Sequence, residues 1–140
     1  VLNKNAVWAS ETTLEFFTDH GMGGSVANTF KRQKPAIVKT VRLADFLQTA
    51  VAMLKIDIEG AEYTVLKDCE PYFKNIENIF VEYHSFEKDV QHLDEILAMF
   101  KKNGFRYHLR QSFSRTKPFI DKKNICENMD MAINVFAYKD

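Results

Sequence analysis

Leu54-Lys55-Ile56-Asp57-Ile58-Glu59-Gly60-Ala61-Glu62 is the stretch whose reading decides the fold of this chain. Leu54, Ile56 and Ile58 alternate with Lys55 and Asp57, and residues two apart in a strand share a face. The stretch reads as a buried strand, Met53 to Ile58, that ends in two carboxylates and a glycine. Beyond Gly60 the period changes. Ala61, Val65, Leu66 and Cys69 recur at helical spacing, with Pro71 marking the end region. A strand running straight into a helix, with polar groups at its carboxyl end, is where α/β sheets usually bind ligands.

Working outward, Ile79 to Tyr83 is a nearly continuous apolar run, as expected of a strand covered on both faces. Val90, Leu93, Ile96, Leu97 and Phe100 then form one helical stripe. Glu87 and Asp89 precede it, and Lys101 and Lys102 close it, which complements the helix dipole. Gly104 fits the position just past the helix end. Phe105 to Leu109 and Ala132 to Tyr138 read as two strands with no helix between them, so an antiparallel hairpin is expected. Upstream, Ala6–Ala9, Thr13–Phe17 and Ile37–Leu43 read as strands, and Asp45 opens a short helix. The glycine-bearing stretch from Asp19 to Asn28 (Gly21, Gly23, Gly24) reads as a hairpin connection. A phosphate-binding loop would need a helix after it.

This order predicts an α/β fold with a Rossmann-like, mainly parallel sheet and a C-terminal antiparallel hairpin. A length of 140 residues fits a single domain over 1–140. A domain of this size buries roughly 68–70% of its unfolded surface and needs no staples.

Lys plus Arg and Asp plus Glu are both 19, for a formal net charge of zero. Nucleic-acid binders show a basic excess or stripe, so no nucleic-acid partner is expected. The run Lys31-Arg32-Gln33-Lys34 reads as a solvated connection. Cys69 and Cys126 make no disulfide framework or zinc spacing, which points to a reducing, cytoplasmic setting. Cys69 itself falls on an apolar helix face as a small buried hydrophobe. No stretch approaches a membrane span, and the start is not signal-like.

Chemistry concentrates at two strand ends. One carries Asp57, Glu59 and Gly60, and the other carries Glu82-Tyr83-His84. If the two strands are parallel neighbours, three carboxylates and an imidazole converge on one crevice. Such a set can bind a cationic or hydroxyl-bearing ligand, orient a general base, or hold a hard divalent cation. In the plainer reading, Lys55 neutralises Asp57 or Glu59, and His84 bonds to nearby backbone. His20, His92 and His108 have no evident constellation and read as structural or exposed.

The nine residues from Leu54 to Glu62, followed by Val65-Leu66-Lys67, resemble the signature of the FkbM-type S-adenosylmethionine-dependent methyltransferases. Ala6-Val7-Trp8 with Thr13–Phe16, Val41-Arg42-Leu43-Ala44-Asp45-Phe46-Leu47, Ile79–His84 and Gly104-Phe105 with the last strand are similar to further segments of that family. The resemblance runs from about Ala6 to Tyr138 and implies a seven-stranded Rossmann-like sheet whose last strand is antiparallel. Leu54 to Ile58 would then be its fourth strand, beside the first at the switch point.

The family's cofactor half is a glycine-rich loop after the first strand and an acidic residue after the second. Neither has a counterpart before Ala6, and Gly21-Met22-Gly23-Gly24 lies in the wrong context. The chain is therefore expected to be the C-terminal portion of a longer methyltransferase, without the main S-adenosylmethionine loop and with little turnover alone.

The resemblance implies methyl transfer to a hydroxyl of a small molecule or glycan. Asp57 is the first choice for the base or for contact with the cofactor's amino acid end. Glu59 and Glu82 would orient the substrate, Gly60 would allow close approach, and His84 is the alternative base. No resident metal is assigned. A metal-dependent hydrolase using Asp57, Glu59 and Glu82, and a non-catalytic interaction domain, remain as alternatives. An exposed edge strand predicts self-association into a homo-oligomer.

Overall fold

The computed structural model describes residues 2–18, 24–25, 36–120 and 129–139. His20, Gly21, Gly23, the Lys31–Lys34 run and Cys126 lie outside them. The described strands form two four-stranded sheets. In the first, β1 (Ala6–Trp8) runs parallel to β4 (Ala36–Arg42), and β2 (Thr13–Thr18) pairs antiparallel with both β4 and β3 (Gly24–Ser25). Thr40 ties this sheet together. Its hydroxyl donates to the Ser10 carbonyl at 2.7 Å and accepts from the Thr12 N–H at 2.8 Å.

The second sheet has the order β5-β6-β8-β7, from β5 (Val51–Ile56), β6 (Ile76–Phe86), β7 (Arg106–Ser114) and β8 (Met129–Tyr138). β5 and β6 are parallel, with Ile56 opposite Val81. β8 lies antiparallel between β6 and β7. The expected C-terminal antiparallel pair is present. The sheet is mixed rather than mainly parallel by pairing, because β8 lies between β6 and β7 and runs antiparallel to both. β7 still points the same way as β5 and β6. Among the described residues β5 is an edge strand.

α1 (Glu62–Cys69) follows β5 and buries Val65, Leu66 and Cys69. It continues as a 3-10 helix, Glu70–Asn75, with Pro71 in its first turn. α2 (Leu93–Lys102) buries Ile96, Met99 and Phe100, with Asp94 and Glu95 in its first turn and Lys101 and Lys102 in its last. Val90, expected in this stripe, stands before the helix and is 74% exposed. Gly104 takes φ 80° at the end of α2. The Phe105 N–H bonds the Phe100 carbonyl at 3.0 Å and the Gly104 N–H bonds that of Lys101 at 3.2 Å, a Schellman ending. The rings of Phe73, Phe100 and Phe105 pack together with centroids 5.7 to 6.0 Å apart.

Leu54, Ile56, Ile79, Val81, Tyr83 and Val135 belong to the core shared with α1 and α2. Val7 and Trp8 from β1, and Leu43 just after β4, pack against the same core. Arg42 joins the two halves. Its guanidinium donates to both oxygens of Asp68 on α1, at 2.9 and 2.7 Å. The double hydrogen bond to Asp68 raises the Arg42 pKa further. β6 is not covered on both faces throughout. Phe80 and Glu82 are only half-buried, and Phe136 and Tyr138 on the neighbouring strand are partly exposed.

Candidate functional site

β5 ends at Ile56, two residues earlier than the alternation suggests. Asp57 and Ile58 leave the sheet, and Glu59 and Gly60 turn the chain with φ 55° and 99°. Glu59 is the only non-glycine residue with positive φ among the described residues. Left-handed backbone costs an ordinary side chain about 1–2 kcal/mol. Gly60 is constrained twice. Beyond its φ, a Cβ there would stand 2.9 Å from the Phe86 ring.

Glu62 opens α1 and is 1% exposed. Its carboxylate accepts from the Gly60 N–H at 3.0 and 3.1 Å and from the Ile58 N–H at 3.3 Å. These amides belong to the turn before the helix, and an acid in the first helical turn also faces the positive end of the dipole. The same Glu62 Oε1 lies 2.9 Å from Nδ1 of His84. The sequence reading quotes Glu62 in its motif without giving it a role. The available signal is an acid two residues after a turn glycine, at a helix start.

Because β5 and β6 are parallel, His84 near the carboxyl end of β6 faces the β5 turn. Its Nε2 stands 3.7 Å from Glu59 Oε2. Asp57, Glu59 and His84 each place one ligand atom within 4.8 Å of the others. Lys55 forms the plain ion pair considered above, with Asp57 at 3.1 Å. Glu82, the third expected carboxylate, accepts from the Ser112 hydroxyl at 2.9 Å. Its charge still acts on Glu59 and His84.

Electrostatics follow from this crowding. Burial, then the charges of Asp57, Glu62 and Glu82, push the Glu59 pKa up against the opposing pull of His84. Burial opposes the charged form of His84. The hydrogen bond and charge of Glu62, with the charges of Glu59 and Glu82, outweigh it and raise the pKa. Burial pushes the Cys69 thiol up to about 12, so it is an inert core group.

His92 does have a constellation, contrary to expectation. Its ring stacks on Tyr63 with centroids 4.0 Å apart, and its Nδ1 hydrogen-bonds Glu95, which also accepts from the Tyr63 hydroxyl. This cluster links α1 and α2. His108 stays on β7 beside Phe136, with ring centroids 6.5 Å apart. An apolar depression lined by Met53, Phe80, Phe136 and Tyr138 lies on the open sheet face, toward the amino ends of β5 and β6 and away from the carboxylates.

The family model for the methyltransferase FkbM domain matches residues 3–107. The chain belongs to this family. The match runs from before β1 to the start of β7 and contains every residue of the strand-end cluster. FkbM domains are methyltransferases, and such enzymes generally use S-adenosylmethionine. No curated protein and no solved structure matches this FkbM chain. Among its described residues, no helix is long and apolar enough to cross a membrane.

Proposed function

We propose that this FkbM domain transfers a methyl group from S-adenosylmethionine to a hydroxyl of a small molecule or glycan, and that Asp57, Glu59, Glu82 and His84 line the acceptor side of the crevice. The observation that carries this reading is the meeting of Glu59 and His84, 3.7 Å apart, at the carboxyl ends of parallel β5 and β6 in a methyltransferase chain. Strand order supports a Rossmann-like parent sheet, since β5, β6 and β7 point one way and β8 runs against them. Ligands of such sheets bind outside the carboxyl ends of the strands.

The bound cofactor would supply an electrophilic methyl on a sulfonium. The acid-rich strand end fits the positively charged ammonium of its amino acid end, which Asp57 can accept. The acceptor oxygen forms the new carbon–oxygen bond as the carbon–sulfur bond breaks, and its proton passes to a base. Asp57 is the first choice for that base. His84 is the alternative, because Glu62 holds its Nδ1 and leaves Nε2 toward the crevice. Glu59 and Glu82 would orient the acceptor. Asn134, opposite Glu82 in the strand register, has a buried side-chain oxygen with no hydrogen bond among the described residues, which suits a donating hydroxyl.

The deciding experiment uses the protein that contains this chain. S-adenosylmethionine should bind by calorimetry, and label should pass from its methyl group to a hydroxyl in a panel of sugars and small alcohols. Absence of cofactor binding would end this reading. The reading also carries a cytoplasmic setting.

A further inference from the structure

We propose that Asp57, Glu59 and Nε2 of His84 form a binding site for a first-row divalent cation, of the manganese or zinc kind. The decisive geometry is around His84. Its side chain is 6% exposed, and its Nδ1 is held at 2.9 Å by the buried Glu62 carboxylate. A carboxylate that accepts a hydrogen bond from Nδ1–H fixes the tautomer of the neutral imidazole and leaves that form's lone pair on Nε2. This is the arrangement that orients metal-binding histidines. That Nε2 makes no hydrogen bond within reach among the described residues. Its nearest acidic oxygen, Glu59 Oε2, is 3.7 Å away.

This separation is too long for a hydrogen bond. It is shorter than the span of about 4.2 Å that two metal–ligand bonds can bridge. One cation between Nε2 and Oε2 would therefore contact both without either element moving. Asp57 completes the set, since ligand atoms of all three residues lie within 4.8 Å.

The donors also select the metal. One imidazole nitrogen with two carboxylates suits first-row divalent ions better than magnesium or calcium, which prefer oxygen alone. Three protein ligands leave a coordination position open, and the exposed side of Asp57 places it toward solvent. The competitor for Asp57 is Lys55, 3.1 Å away. Lys55 is 62% exposed, and an ion pair so open to water is weak enough to yield to a divalent ion.

While a cation is bound its three ligands cannot act as the base, so proton transfer to Asp57 or His84 belongs to the cation-free chain. The inference rests on the geometry of the site and not on methyl transfer. Binding of the metal alone therefore tests it separately. Without cation binding the methyl-transfer reading stands, and without cofactor binding the cation site stands.

Stripped of metal with a chelator, the 140-residue chain should take up one Mn2+, read by loss of the free-ion electron paramagnetic resonance signal. Zn2+ should displace it. In the wild-type chain, added Zn2+ should shift the Nε2 nitrogen resonance of His84 and leave Nδ1 bonded to Glu62. Asp57→Asn and Glu59→Gln, each checked for folding by circular dichroism, should weaken Mn2+ binding by at least about tenfold. Asp94→Asn, on α2 and outside the cluster, should leave it unchanged. Absence of binding at millimolar Mn2+, binding that ignores both site substitutions, or a Zn2+ shift at another histidine would each overturn the proposal.

Discussion

Nδ1 of His84 and Oε1 of Glu62 lie 2.9 Å apart, and both side chains are buried. The pair joins the end of β6 to the start of α1, and the same carboxylate holds the Ile58 and Gly60 amides of the intervening turn. One side chain therefore fixes the histidine, the turn and the helix start together.

Replacing Glu62 should be costly in proportion. Glu62→Ala would strip a buried imidazole and two amides of their partner, and breaking a buried pair from one side costs about 3–5 kcal/mol. Glu62→Gln keeps an acceptor for the amides and should cost less than half of that. Urea denaturation of both variants reads the difference. Equal losses would mean that the charge facing His84 carries the whole effect and that the acceptor kept by glutamine contributes nothing.

Gly60→Ala should destabilise the chain by roughly 1–3 kcal/mol, from strain at φ 99° and the 2.9 Å approach to Phe86. Pairing it with Phe86→Leu separates the two causes. If the double variant recovers nothing, the backbone term is the whole effect.

Stability should fall as the pH rises above neutrality. The pKa of His84 is raised from 6.5 by folding, in a pocket faced by Glu62, Glu59, Glu82 and Asp57. The folded chain thus holds this proton more tightly than the unfolded chain. That stabilisation is complete below 6.5 and is lost as pH passes through the folded value. The raised pKa of Glu59 acts with the same sign, starting from 4.5. Urea midpoints of the chelator-treated chain should decline from pH 6.5 upward, and His84→Gln should flatten the decline. A midpoint that climbs over this range would contradict the assignment.

We further propose that the chain self-associates through β5. This strand is an edge among the described residues, and Met53 on its open face is 57% exposed beside Phe80 and Phe136. Unpaired strand edges recruit other strands, and lysine on an edge discourages it. Light scattering at tens of micromolar should show a second copy bound, and Met53→Lys should shift the chain toward monomer. A monomer at every concentration would refute the pairing.

Much of this site is legible in the sequence because its signals are local. The switch from alternation to helical spacing at Gly60 locates the strand end to within two residues, and the shared direction of β5 and β6 brings His84 to Glu59. Glu62 is harder to read, since an acid at a helix start is ordinarily solvated and only the tertiary position of His84 buries it. The placement of Val90 is misread for a related reason. Its spacing continues the α2 stripe, but the helix begins only at Leu93. The contact of Tyr63 with His92 is likewise invisible, because it depends on how two helices cross. The mixed character of the sheet depends on where β8 inserts, which pairing between distant residues decides.

The left-handed backbone at Glu59 has a consequence for anyone who randomises this position. Variants would pass through two separate sieves. Glycine and asparagine satisfy the backbone but abolish the carboxylate, while aspartate keeps the charge on a shorter arm. A selection for expression alone and a selection for ligand capture should therefore enrich different residues at the same codon. The divergence between the two pools would measure how far the turn has been kept for chemistry at the expense of folding.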